Sequence, residues 1–228
     1  MLRNVVLSSA ALALIATAAN AHPQFTLSND GRLSSIVPAK SQPAPVLPGK
    51  KKKSSYLWSS LNSDANGAYF CCFGSTLTGP SNNIGLTGKA YGVAEQFTLK
   101  KAASVKTLVA AVGYVEGYGN GSTTLTLYAD NGSNSPGTAL ASGTGTATQE
   151  FGTCCGLVSV KISATSLSAN TPYWVAITTT GSNYEAAPFQ VWNEVNSNLY
   201  VASTSDGGTT WGAGYQLDVE QPAVAVGK

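Results

Sequence analysis

Between residues 68 and 220 the chain is a succession of short runs rich in Val, Thr, Tyr and Ile, cut at close intervals by Gly, Asn, Ser and Asp. The runs are AYFCC (68–72), AEQFTL (94–99), SVKTLVAAVGYV (104–115), STTLTLYA (122–129), GLVSVKIS (156–163), PYWVAITTT (172–180), FQVWNEV (189–195), NLYVAST (198–204) and YQLDVE (215–220). Several alternate with period two, the signature of a strand with one buried face. Leu125 and Leu127 fall on one side, Thr124 and Thr126 on the other. Tyr173, Val175 and Ile177 share a face opposite Trp174 and Ala176. Between the runs stand GYGNGS, DNGSNSPG, SGTGT and SDGGTT, all turn chemistry. No long 3.6-residue period interrupts them. The expected fold is all-β, an antiparallel β-sandwich of jelly-roll-like form.

Composition sets the limits of that domain. Residues 1–21, MLRNVVLSSAALALIATAANA, carry a positive start at Arg3, an apolar stretch from Val5 to Ala19 and a small-x-small site at Ala19-Asn20-Ala21. That is the pattern of a cleaved signal peptide, and its apolar stretch is short for a membrane span. The expected location is secreted and extracellular, with no membrane span in the mature chain. Residues 22–53 hold half of the ten prolines. Their charge is Arg32, Lys40 and Lys50 to Lys53 against Asp30, six less one, or +5. Such a stretch buries too little to fold and is expected to be a disordered, basic, Pro-rich linker. Residues 54–228 carry six lysines against ten acids, or −4. They form the single folded domain, and nothing in them has the basic face of a nucleic-acid partner.

The four cysteines are two adjacent pairs, Cys71-Cys72 and Cys154-Cys155. In an exported chain they are expected to form disulfides. Two arrangements answer the pattern: cross-linking of the pairs, or a vicinal ring within each. An antiparallel pairing of the two segments would give Cys71–Cys155 and Cys72–Cys154. Adjacent ligands suit a tetrahedral metal site poorly, so no metal or other cofactor is expected.

Residues 204–211, TSDGGTTW, fit the Asp-box pattern of Thr204, Asp206, Gly208, Thr210 and Trp211. Asp206 is expected to cap backbone N–H groups across the turn, Gly208 to take positive φ and Trp211 to pack beneath. Sialidase propellers repeat this box blade after blade; one copy without a repeat excludes a propeller.

The series AEQFTL, LYADNGSNSPGTALASGTGT, FGTCCGLVSVKIS, LSANTPYWVAITT and VWNEV resembles the bacterial secreted domains called choice-of-anchor R, over roughly residues 68–204. The resemblance implies a β-sandwich at the cell surface and no assigned catalytic residues. The family's C-terminal sorting signals have no counterpart in PAVAVGK.

Triad chemistry needs a positioned histidine. The one histidine, His22, lies in the linker, which also leaves an N-terminal copper brace without its second imidazole. A glycosidase needs two carboxylates, for which Glu116, Glu150, Glu185 and Glu194 are the candidates. Asp130-Asn131-Gly132-Ser133-Asn134 offers oxygens to calcium, but Asx-turn chemistry explains it without an ion. The favoured function is non-catalytic: structure, adhesion or binding, with an extracellular glycan or cell-surface component as partner. The candidate ligand-binding residues are Tyr114, Glu116, Tyr118, Asn120 and Trp192, with Trp58 as a further aromatic. The alternative is a glycoside-active enzyme using a carboxylate pair.

Overall fold

Alternating Leu and Thr on neighbouring strands can bury only one face, and two sheets close over each other to do so. The computed structural model describes residues 25–27, 32–35, 56–61, 69–81, 89–114, 122–149, 156–181, 184–191, 200–215 and 220–228. In chain order the strands are β1 (Phe25–Leu27), β2 (Arg32–Ser35), β3 (Tyr56–Ser59), β4 (Tyr69–Thr78), β5 (Gly92–Thr98), β6 (Ala103–Tyr114) and β7 (Ser122–Asp130). They continue as β8 (Pro136–Thr146), β9 (Gly156–Leu167), β10 (Pro172–Thr179), β11 (Tyr184–Val191), β12 (Val201–Thr204), β13 (Glu220–Pro222) and β14 (Val224–Gly227). A five-stranded sheet runs β12-β5-β10-β7-β8. A nine-stranded sheet runs β1-β2-β4-β11-β6-β14-β3, with β13 on β11 and β9 on β6. Every paired strand is antiparallel. The all-β sandwich expected from the alternation is the fold observed.

The core lies between the sheets. Val93, Phe97, Leu125, Leu127, Tyr173, Val175 and Ile177 face inward from the smaller sheet. Leu108, Ala110, Val112, Val158, Val160, Val224 and Val226 meet them from the larger one. Simple parity would turn Val105 outward, because Leu108 and Val105 differ by an odd number. A register shift between Val105 and Thr107 restores it to the core.

The structure corrects three expectations. Residues 136–146, read in large part as turn chemistry, form the 11-residue strand β8. Its inward positions include Gly143 and Gly145 because β8 lies directly against β9. A Cβ on Gly143 would stand 2.8 Å from the Lys161 carbonyl oxygen, and one on Gly145 2.7 Å from a Val158 methyl. In β10 neither face is wet: Trp174 and Ala176, on the outer side, are as buried as Val175 and Ile177. The third correction falls within 22–53. β1 and β2 pair with each other, and β2 pairs with β4, so these two segments are not structureless linker. Phe25, Leu27 and Leu33, with the turn-forming dipeptide Asp30-Gly31 between them, were a local hairpin signal that the Pro-rich composition masked. Residues 1–21, expected to be a leader, and the rest of 22–53 lie outside the described residues.

Candidate functional site

The connection from β5 to β6 carries the chain from one sheet to the other. Its sequence is Leu99-Lys100-Lys101-Ala102. Leu99 turns into the core and its carbonyl accepts the Asn170 N–H at 2.8 Å, which fixes the loop. Lys100 and Lys101 are left exposed. Beside them β3 pairs with β14, Trp58 opposite Val226 and Tyr56 opposite Gly227, which brings the exposed Lys228 next to Tyr56.

These segments enclose an open groove of about 820 Å³ at one end of the sandwich, within the range of small-molecule and saccharide clefts. It is lined by Tyr56, Leu57, Trp58, Thr98 and the 99–103 loop, with Lys228 at the rim. Trp58 is partly buried, and its ring leans on Phe97 at 5.5 Å between centroids. Phe97 in turn lies 6.0 Å from Tyr173, whose hydroxyl accepts the Ser168 N–H. An aromatic series thus runs from the groove into the core and holds Trp58 in one orientation. Three of the six lysines in residues 54–228 line the groove, and none of the acids whose side chains are described, Glu95, Asp130 and Asp206, does. Among the described residues Lys100, Lys101 and Lys228 have no ion-pair partner.

Of the binding residues expected from sequence, Tyr114 is described. It is partly buried against the inner core, and its N–H donates to the Gln149 carbonyl. It does not join Trp58. Trp58 stands abreast of Leu108, through Val226, and Tyr114 lies six residues further along β6, roughly 20 Å away. Glu116, Tyr118, Asn120 and Trp192 lie outside the described residues, as do Glu150 and Glu194. Glu185 is placed by backbone, in register with Tyr114 and Leu77. Cys71 and Cys72 are placed on β4; Cys154 and Cys155 lie outside the described residues, and with them the disulfide pairing.

A carboxylate absent from the expected set is Glu95. It is 0% exposed, on the inward face of β5 between Val93 and Phe97. Burial pushes its carboxyl well above the usual range, against a smaller lowering by Ser60. It does not line the groove, and its Oε1 has no hydrogen-bond partner among the described residues. Among the described residues no three His, Cys, Asp or Glu side chains gather as a metal site would require.

The Asp box forms as the pattern predicts. Thr210 N–H donates to Asp206 at 2.9 and 3.1 Å, and the Thr210 and Thr204 hydroxyls donate to the same carboxylate at 2.6 and 2.7 Å. Gly207 and Gly208 take φ of 73° and 89°. The Thr210 hydroxyl and N–H and the Thr204 hydroxyl hold the Asp206 carboxyl down at about 2. Trp211 packs edge-on to Tyr128 at 5.8 Å and, with Tyr200, covers Ala94, Trp174, Ala176 and Ala202. This turn is therefore a lid over the outer face of the smaller sheet. Its Trp211 N–H approaches the Tyr128 hydroxyl but falls short of hydrogen-bond geometry. Asp130, the calcium candidate, accepts from Trp174 Nε1 at 2.8 Å, Gln96 Nε2 at 3.3 Å and the Gly132 N–H at 2.7 Å. Both its oxygens are engaged by the protein.

Tyr56, Lys100, Lys101 and Lys228 were missed by the sequence reading. The doublet Lys100-Lys101 between two strands was visible, but nothing local shows that the chain's last residue and Trp58 converge on it. No protein-family model matches the chain, and none of the curated proteins compared with it is similar enough to match.

Proposed function

We propose that this is an exported, non-catalytic β-sandwich that binds a glycan at the extracellular surface through the groove between Trp58 and Lys100-Lys101. The observation that carries this reading is the groove: aromatic side chains in an open cleft, ringed by amines that no described carboxylate neutralises. Flat aromatic faces stack on the C–H faces of sugar rings, and amines hydrogen-bond their oxygens. Binding of this kind needs no perturbed pKa. The leader-like 1–21 and a motif order that resembles choice-of-anchor R domains support an extracellular setting.

The enzymatic alternative rests on Glu116, Glu150, Glu185 and Glu194, whose side chains lie outside the described residues. The one described carboxyl with a strongly raised pKa, Glu95, is sealed between the sheets and has no route to a sugar.

The test is a binding screen of the full exported chain against insoluble polysaccharides and a glycan array. A reproducible hit that falls about tenfold on Trp58→Leu, with the thermal transition retained, supports the reading; hot-spot truncations have this size. A hit that Trp58→Leu and Tyr56→Ser both leave unchanged overturns the groove as its site.

A further inference from the structure

We infer that the groove selects acidic glycans, those whose rings carry carboxylate, sulfate or phosphate groups; this rests on the glycan-binding reading above. Charge is the reason. Residues 54–228 are acidic overall, six lysines against ten acids, yet half of those lysines converge on one cleft that no described acid lines. They come from two places far apart in sequence, the β5–β6 loop and the residue after β14, so the convergence is made by the fold. Lys100, Lys101 and Lys228 are exposed and without an ion pair among the described residues, so a ligand anion displaces no described partner. A neutral sugar uses Tyr56 and Trp58 and leaves three amines facing water. An anionic one pairs with them across less than a Debye length. The carboxyl nearest in sequence, Glu95, lies inside the sandwich and favours its uncharged form, so it does not offset the field from within.

Two matched pairs of polymers isolate charge from sugar shape: dextran against dextran sulfate, and fully methyl-esterified against free polygalacturonate. Binding to the full exported chain is measured by isothermal titration at low and at physiological salt, with polyglutamate as a polyanion without sugar rings and vesicles of phosphatidylglycerol as an anionic surface. The expected result is a preference of about tenfold or more for at least one acidic member, the size of a few exposed ion pairs, weakening as salt rises. Lys100→Gln with Lys101→Gln brings that member close to its neutral counterpart. Replacing Lys50 to Lys53 by Gln leaves the preference in place.

Equal binding of neutral and acidic members overturns the inference and leaves the glycan reading standing. Binding of neither, by a chain with an intact thermal transition, removes the glycan reading itself. Polyglutamate or vesicles bound as tightly as the acidic glycan, or a preference that follows Lys50 to Lys53 instead of Lys100 and Lys101, also overturns the inference.

Discussion

Ser60 Oγ lies 2.8 Å from Glu95 Oε2 inside the sandwich, and the same hydroxyl lies 3.2 Å from the Val224 carbonyl oxygen and accepts the Val224 N–H at 2.9 Å. One hydroxyl proton cannot serve both a carboxylate and a carbonyl. A protonated Glu95 resolves this: its O–H donates to Ser60, and Ser60 donates to the backbone of β14. Geometry and burial therefore favour the same neutral carboxyl.

The pH dependence follows in sign. A carboxyl whose folded pKa is raised stays protonated in the folded chain at pH values where the unfolded chain has released its proton. Its stability contribution is full below the unfolded value near 4 and is lost as pH rises through the folded value, each unit of separation amounting to about 1.4 kcal/mol. Glu95→Gln, which keeps the neutral shape, should flatten that decline. Denaturant titrations at pH 4.5 and 8 measure it. A slope unchanged in the variant contradicts the assignment.

Asp206 works with the opposite sign. Its folded carboxyl is held at about 2, so the box contributes above pH 4 and fades as pH falls from about 4 towards 2. Asp206→Ala removes a cap of several donors, and by analogy with helix caps the cost is about 1 kcal/mol, kept low by its exposure. For a domain of this size that is a fall in Tm of about 2–4 °C at pH 7. The gap between variant and parent should shrink when the scan is repeated at pH 2.5.

The contact of β8 with β9 depends on two missing Cβ atoms. Gly145→Val would drive two methyls into Val158 and Val160. Overpacking of this kind costs about 1–3 kcal/mol. A denaturant midpoint within error of the parent would show that the seam yields. Gly132→Ala, with open space around it but φ of 84°, separates backbone strain from crowding in the same experiment.

Trp174 is fully buried, and its indole N–H has one described acceptor, Asp130. Asp130→Ala leaves that buried donor unpaired, a loss of about 1–3 kcal/mol, while the exposed Gly132 N–H turns to water. Asp130→Asn keeps an acceptor and should recover most of it. Equal loss in both variants would mean that charge, and not the hydrogen bond, is what the site uses.

How much of this was legible follows from range. Leu125 and Leu127 against Thr124 and Thr126 revealed the inward face of β7 because the pleat alone decides it. The Asp box was legible because all its partners lie within eight residues. β8 was hidden because glycine reads as a turn residue, and its reason for being in a strand, the closeness of β9, is long-range. Val224 to Gly227 gave no strand signal of its own, yet β14 is buried throughout because Leu108 and Trp58 flank it. Glu95 sits amid a good strand pattern that says nothing about whether its face is dry. The groove is the extreme case, since Tyr56, Lys100 and Lys228 meet through strand order alone.

A bound glycan is proposed to occupy this end of the sandwich. Amide hydrogen exchange of the full chain, with and without the tighter-binding of dextran sulfate and polygalacturonate, tests it directly. Added protection is expected at residues 56–58 and 98–103, next to an unchanged Asp box at 204–211. Binding with protection confined to 204–215, or to the region of Tyr114, would contradict it.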